Sequence, residues 1–262
     1  MRFLLLVLIT LVLLGTQSCK KECHDPSNPD CENYDQCFGK EKTNADFTIS
    51  EVVGGRAFET DEVWRNSYVQ FTAKQDFDSY QWVIGTHKDT FYTKSCGLSG
   101  FPEGQTIQVR LVGKRKPNTD CFAGDDGIDT VYKTFKVTAS DSLLQIYGEY
   151  DGYYSNDPNH KVTVKVWRNM IPDSPTWRPK AYFTNIPVEG ITVSEIAGIG
   201  STAFRINAEG IDDGPKGGYA MNGFVYLLPD KKTLKAEYSH WDTATHYPNF
   251  VRINGSFTGT RK

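Results

Sequence analysis

The chain of 262 residues has no long apolar run, no basic stripe and no helical stripe. Its longest apolar stretch, from Phe3 to Leu14 with only Thr10 interrupting, is far short of the roughly 20 residues that cross a bilayer. With 29 basic against 32 acidic residues spread along the chain, the electrostatic footprint of a nucleic-acid binder is missing. Neither Gly-x-Ser-x-Gly nor a phosphate-binding glycine loop is present. The histidines, His24, His87, His160, His240 and His246, form no His-x-x-x-His or His-Glu-x-x-His pair. That spacing excludes the common helical zinc sites, and no cofactor is expected.

What is present begins at the N-terminus. Arg2 supplies a positive charge, the apolar run follows, and Gly15 to Ser18 is small and polar. That order is a secretory signal peptide over residues 1–18. Leu13-Leu14-Gly15-Thr16-Gln17-Ser18-Cys19 resembles a bacterial lipobox, with Ser18 as the small residue before the cysteine. The resemblance implies lipidation of Cys19, which would tether the protein to the outer membrane through N-terminal acyl chains. It leaves Cys23, Cys31, Cys37, Cys96 and Cys121, an odd set in an oxidising compartment, so one thiol has no partner among them.

Residues 19–45 hold two prolines, many Asx residues and little apolar surface to offset ordering entropy. They read as a flexible, cysteine-containing tether. A disulfide such as Cys31 with Cys37 is one reading of its sulfurs. A zinc site of Cys23, His24, Cys31 and Cys37 is the other, and its spacing fits no zinc pattern. The charges after Cys19 loosely resemble the surface-export signals of Bacteroidota lipoproteins. Three triplets, at Asp129, Asp141 and Asp242, resemble the Asp-Ser/Thr-apolar O-glycosylation signal of the same lineage.

High aromatic content (13%) with 23 Gly and 12 Pro as punctuation favours β structure. Period-two alternation marks strands at 46–49, 68–72, 80–83, 106–111 and 131–137, a sandwich pattern over residues 46–140. Val69-x-Phe71, Tyr80-x-Trp82-x-x-Gly85 and Phe101 with Ile107-x-Val109-x-Leu111 resemble a PKD-type immunoglobulin-like domain. The resemblance implies Trp82 in the core and a spacer or binding role. Thr86-His87 stands where that family has an Asp-Gly turn. Cys96 and Cys121 flank the Ile107 strand and are expected to pair; a bond from Cys96 to a tail cysteine is the alternative.

Residues 141–262 carry eight candidate strands, at 144–154, 161–167, 181–185, 191–194, 202–207, 218–228, 233–239 and 250–259, with a short helical turn weighed at 193–197. Eight strands joined by short turns suggest an antiparallel, roughly eight-stranded barrel. The Gly148–Gly152 opening and the Phe257-Thr258-Gly259 close resemble lipocalin-like barrels. Gly148, Gly152, Gly255 and Gly259 are read as relief of crowding at sharp bends. The fold class is therefore all-β: a PKD-like sandwich followed by a barrel-like domain.

Three sets of residues bear on chemistry. Asp120, Asp125, Asp126 and Asp129, with Asp212 and Asp213, are oxygen-rich enough for calcium but lack EF-hand spacing and fit turn chemistry. Glu149 and Asp151 are read as facing opposite sides of one strand, which would keep them from acting together. Trp177, Trp241 and Tyr247 are loop aromatics suited to a sugar or protein surface. The expected protein is a non-enzymatic binding or assembly module for an envelope protein or glycan. The alternative is a carrier with a small apolar ligand inside a hollow barrel.

Overall fold

The structure, a computed structural model, describes residues 23–87, 89–139, 144–169, 180–188, 191–208, 221–241 and 252–262. The described chain is all-β, with sixteen strands and two kinds of sheet.

A sandwich comes first. One sheet has the order β2 (Arg56–Glu59), β1 (Phe47–Val53), β4 (Tyr68–Ala73), β6 (Ser95–Leu98). The other runs β3 (Glu62–Val63), β8 (Ile128–Val137), β7 (Thr106–Lys114), β5 (Ser79–Ile84). Alternation builds both faces. In β4, Val69, Phe71 and Ala73 are buried while Tyr68, Gln70 and Thr72 point away. In β7, Ile107, Val109 and Leu111 do the same. Trp82 is wholly buried, sits 5.2 Å from the Phe47 ring edge-on, and donates its indole N–H to Thr93 O at 2.8 Å. A buried indole finds a partner for its N–H, and here that bond locks the ring into the core. Gly85 turns the following hairpin at φ +52, a left-handed conformation that favours glycine.

Eight antiparallel strands follow: β9 (Gly148–Tyr154), β10 (Asp157–Asn169), β11 (Lys180–Val188), β12 (Ile191–Ile199), β13 (Ala203–Ala208), β14 (Met221–Leu227), β15 (Thr233–Trp241) and β16 (Arg252–Arg261). Each pairs with the next, and β16 pairs back to β9 through Phe257↔Tyr154 to Arg261↔Tyr150, so the ladder closes into a barrel. Every expected barrel strand has its counterpart. The helical turn weighed at 193–197 lies instead within β12, where Val193 to Ile196 continue the ladder.

The interior is lined by Tyr150, Tyr154, Val164, Val166, Phe204, Ile206, Val225, Leu227, Leu234, Ala236, Tyr238 and Phe257, all buried. Gly152 and Gly259 face each other across the closing pair. A Cβ on Gly152 would overlap Thr258 O and the Gly259 Cα, and one on Gly255 would overlap the Tyr238 ring. These glycines make room for rings and backbone, which is a more specific reason than bending alone.

The cysteines correct two expectations. Cys121 pairs with Cys37, not with Cys96, and Cys23 pairs with Cys31. Cys96 is a free thiol on β6, half-buried against the sandwich core. Its strand is fixed by pairing with β4, Phe71 opposite Cys96, while Cys121 lies outside any strand. The disulfides also use the sulfurs considered for zinc. Residues 23–43, expected as an open tether, are a series of turns in which Asp25, Asn28 and Asp35 accept from backbone N–H groups two residues on. Those residues group with 116–128, joined by the Cys37–Cys121 bond, while 44–115 and 129–262 form one compact unit holding sandwich and barrel together.

Candidate functional site

Sandwich and barrel meet around one buried acid. Glu51, wholly buried on β1, accepts from the Trp64 N–H (2.6 Å) and the Ser67 hydroxyl (2.5 Å) on one oxygen. Its other oxygen accepts from the Ser201 N–H at 2.6 Å, and the Thr202 N–H also reaches the carboxyl. A carboxyl removed from water demands such partners. Here they come from both the sandwich and the β12–β13 turn. Burial pushes the Glu51 carboxyl up, and the four donors pull against that shift.

A second contact lies on the barrel's outer face. Strand residues alternate between faces, so the neighbours of inward Val225, Ala236 and Tyr238 face out. Phe58 of β2 packs on Phe224 and Tyr226 at ring distances of 5.6 and 5.2 Å. The Arg56 guanidinium lies 5.1, 5.4 and 5.0 Å from the rings of Phe58, Phe224 and Tyr226, a favourable cation–ring geometry. It pairs with Glu237 at 2.7 Å, and the Tyr226 hydroxyl donates to the other Glu237 oxygen at 2.7 Å. The Arg56 bond and then the Tyr226 bond hold the Glu237 carboxyl below its usual range.

That contact borders an open groove of about 570 Å³ across β14, β15 and β16. The register builds its floor: Asn222 stands opposite Ser239, and Ser239 opposite Asn254. The next outward row is Phe224, Glu237 and Ser256. Directly opposed residues have Cβ atoms about 4.5–5.5 Å apart. The groove therefore presents amides and hydroxyls at sheet spacing, with the Phe224 ring and the Arg56–Glu237 pair beside them. Each amide offers two donors and an acceptor, and each hydroxyl offers both roles.

The expected site residues are placed differently. Trp177 and Tyr247 lie outside the described residues, as do Cys19, His246, Asp212 and Asp213. Trp241 is the last residue of β15, paired with Arg252. The strand ends flanking 170–179 and 242–251 are at opposite ends of the barrel, because successive strands alternate in direction.

The acidic loop is turn chemistry. Asp125 is 3% exposed and accepts from the N–H groups of Asn118 and Gly127. Burial would raise its carboxyl, but bonds from Thr43, Asn118 and Gly127 hold it at about 2. Asp126 accepts from Ile128 N–H, and Asp129 from Ala45 and Thr130 N–H. Glu149 and Asp151 are corrected: two residues apart, they share one face of β9, and Lys262 Nζ lies 3.8 and 3.3 Å from their carboxylates. Bonds from Thr163 and Lys161 hold Asp151 at about 2, so it carries a fixed charge near neutrality.

The barrel interior bears on the carrier alternative. Of the rings named above as fillers for the described core, Tyr154, Tyr238 and Phe257 meet at 5.2–6.3 Å. Tyr150 donates to Ile146 O at 2.8 Å and receives Arg261 at its hydroxyl, also at 2.8 Å. A ligand in this part of the barrel would have to displace packed aromatic side chains. His240 stacks on Tyr238 at 6.3 Å and is thereby tied to the same packing.

No protein-family model matches the chain, and no curated protein matches it. The residues that sequence reasoning missed, Glu51, Arg56, Asn222, Glu237, Ser239, Asn254 and Ser256, carry one readable signal. In β15 the polar Lys235, Glu237 and Ser239 have a parity opposite to the apolar Leu234, Ala236 and Tyr238, and in β16 Asn254 and Ser256 have a parity opposite to Ile253 and Phe257. Parity assigns them to one face; only register sets them side by side.

Proposed function

We propose that the protein is a lipid-anchored, non-enzymatic binding module of a bacterial outer membrane whose contact surface, on the outer barrel face, takes a glycan. The observation that carries this reading is the paired row of Asn222, Ser239 and Asn254 beside Phe224 and the Arg56–Glu237 pair. Sugar hydroxyls both donate and accept, and a sheet of amides and hydroxyls answers them at regular spacing. The two disulfides support export to an oxidising compartment. The five described cysteines form two pairs and one thiol, an odd set in keeping with Cys19 being used for acylation. The signal-like N-terminus and the PKD-like and lipocalin-like patterns agree with a surface or periplasmic module.

A glycan array probed with the full chain tests the site. Binding to a glycan class that falls at least about tenfold in Asn222→Ala/Asn254→Ala, with unchanged melting temperature, supports it. A blank array overturns the glycan reading. If pulldown from solubilised envelopes then enriches an envelope protein, the module binds protein instead. Mass spectrometry of the mature N-terminus tests the anchor, and an unmodified Cys19 or a different start overturns it.

A further inference from the structure

Among the described residues that line the outer-face groove, Arg56 and Glu237 are the charged ones, and their charges cancel. Both reach solvent, with side chains 42% and 48% exposed. The rest of the polar lining is neutral: Ser155, Asn222, Ser239, Asn254 and Ser256. Backbone bonds fix its far edge, where Ser155 N–H donates to Ser256 O and Ser256 N–H donates to Ser155 Oγ.

The ion pair is held in place without being saturated. The rings of Phe58, Phe224 and Tyr226 position the Arg56 guanidinium. A guanidinium carries five N–H donors, and a carboxylate about four acceptor positions. Arg56 donates to Glu237 Oε2 and is bonded to the Tyr226 side chain, while Glu237 Oε1 accepts from the Tyr226 hydroxyl. Donors are left over on Arg56 and lone pairs on Glu237, side by side at 2.7 Å. The Arg56 and Tyr226 bonds also keep Glu237 ionised near neutrality, so it accepts and does not donate. Beside the pair, the row Asn222, Ser239 and Asn254 spans two strand spacings, about 9–10 Å. It lies two residues along the strands from the Glu237 row, about 7 Å. A floor of that size exceeds a single sugar ring.

We propose that this groove selects uncharged oligosaccharides and seats two adjacent hydroxyls of one sugar on the Arg56–Glu237 pair. One hydroxyl accepts from Arg56 and its neighbour donates to Glu237. Hydroxyls on adjacent ring carbons lie about one hydrogen-bond length apart, which matches the 2.7 Å pair. The next sugar then lies over the amides and hydroxyls of the Asn222 row. A uronate would reach Arg56 only beside the Glu237 carboxylate, and an amino sugar would reach Glu237 only beside Arg56. Neither finds a second counter-charge among the described lining residues. The inference rests on the outer-face glycan reading and adds to it the charge class and the seat.

The test is an array, probed with the full chain, of gluco-, manno- and galacto-oligosaccharides beside oligogalacturonates and oligoglucosamines of equal length. Binding is expected in a neutral series, with the charged series at least about tenfold weaker. A charged series that binds within about tenfold of the neutral ones overturns this inference and leaves the glycan reading standing. A blank array overturns both. Glu237→Gln keeps an acceptor but leaves Arg56 unbalanced. It is expected to weaken the bound neutral oligosaccharide and to strengthen oligogalacturonate, each at least about fivefold by calorimetric titration. A variant with the wild-type preference overturns the proposal. An exposed pair contributes little to stability, so the variant should keep its fold. If it does not, a salt series on the wild type decides. Neutral binding is expected to change less than about threefold between about 0.05 M and about 0.5 M NaCl, and a larger fall overturns the proposal.

Discussion

Glu51 is a single carboxyl on which burial and hydrogen bonding pull in opposite directions. Desolvation raises it above its ordinary 4.5, and bonds from Ser67, Trp64, Ser201 and Thr202 only partly offset that. The folded chain then holds this proton more tightly than the unfolded chain. Its contribution to stability is complete below about pH 4.5 and is lost as pH rises through the folded value. Asp46, Asp125 and Asp151, each held at about 2, act the other way. Their contribution is present above about pH 4 and is lost as pH falls toward 2. In Asp46 desolvation is outweighed by bonds from Lys133 and Lys74. Urea unfolding of the wild type should therefore weaken on both sides of mildly acid pH. Glu51→Gln should flatten the fall that begins above about pH 4.5. It should also cost on the order of 2 kcal/mol, because its amide would aim N–H groups at existing donors. A variant that keeps the full pH slope would show that another group is responsible. Cys96 gives a second test at this scale. Burial pushes its thiol up to about 12, so the thiolate that alkylates is scarce at pH 8. Iodoacetamide without reductant should label the Cys96 peptide only after urea is added, as read by peptide mapping.

Strands were legible where alternation was long. The runs at 68–72, 80–83, 106–111 and 131–137 lie within observed strands, as do those at 161–167, 181–185, 191–194 and 233–239 in the barrel, while the run at 144–154 begins ahead of β9. The misses have local causes. In β2 only Phe58 is buried, β3 has two residues, and all four residues of β6 are half-buried, so none shows a period. The glycines were legible as special but not as a set. Gly152 and Gly259 become opposite neighbours only once β16 returns to β9. Gly152→Ala should therefore act on barrel closure, costing about 3 kcal/mol or more, since the new methyl meets backbone that has no room to shift. Hydrogen exchange of β9 and β16 amides checks it, with faster exchange expected there first. Uniform protection in the variant would mean that the seam tolerates the methyl.

For the molecule, the consequence is that sandwich and barrel share one folded unit. Glu51, Phe58, Arg56 and the Lys231–Asp61 pair join them, and most of these join residues more than 100 positions apart. Phe58 is 6% exposed, and replacing such a ring by Ala removes about 3–5 kcal/mol. Calorimetry of the wild type should show one transition for residues 44–115 and 129–262. Phe58→Ala should split it into two, with the barrel transition distinguished by its Tyr-rich core. A single sharp transition in the variant would place the coupling elsewhere.

Several properties were determined by the sequence alone. Alternation and turn residues are local, so they mark the longer strands and which of their side chains face inward. The PKD-like resemblance implied Trp82 in the core, and the cysteine count, with Cys19 set aside, left one of five without a partner. Tertiary structure decided the rest, because register and strand neighbours depend on contacts far apart in the chain. It chose Cys37 for Cys121, buried Glu51 under donors from two modules, and aligned Asn222, Ser239 and Asn254 across three strands. Parity is a property of each strand by itself, whereas a surface is a property of strands brought together.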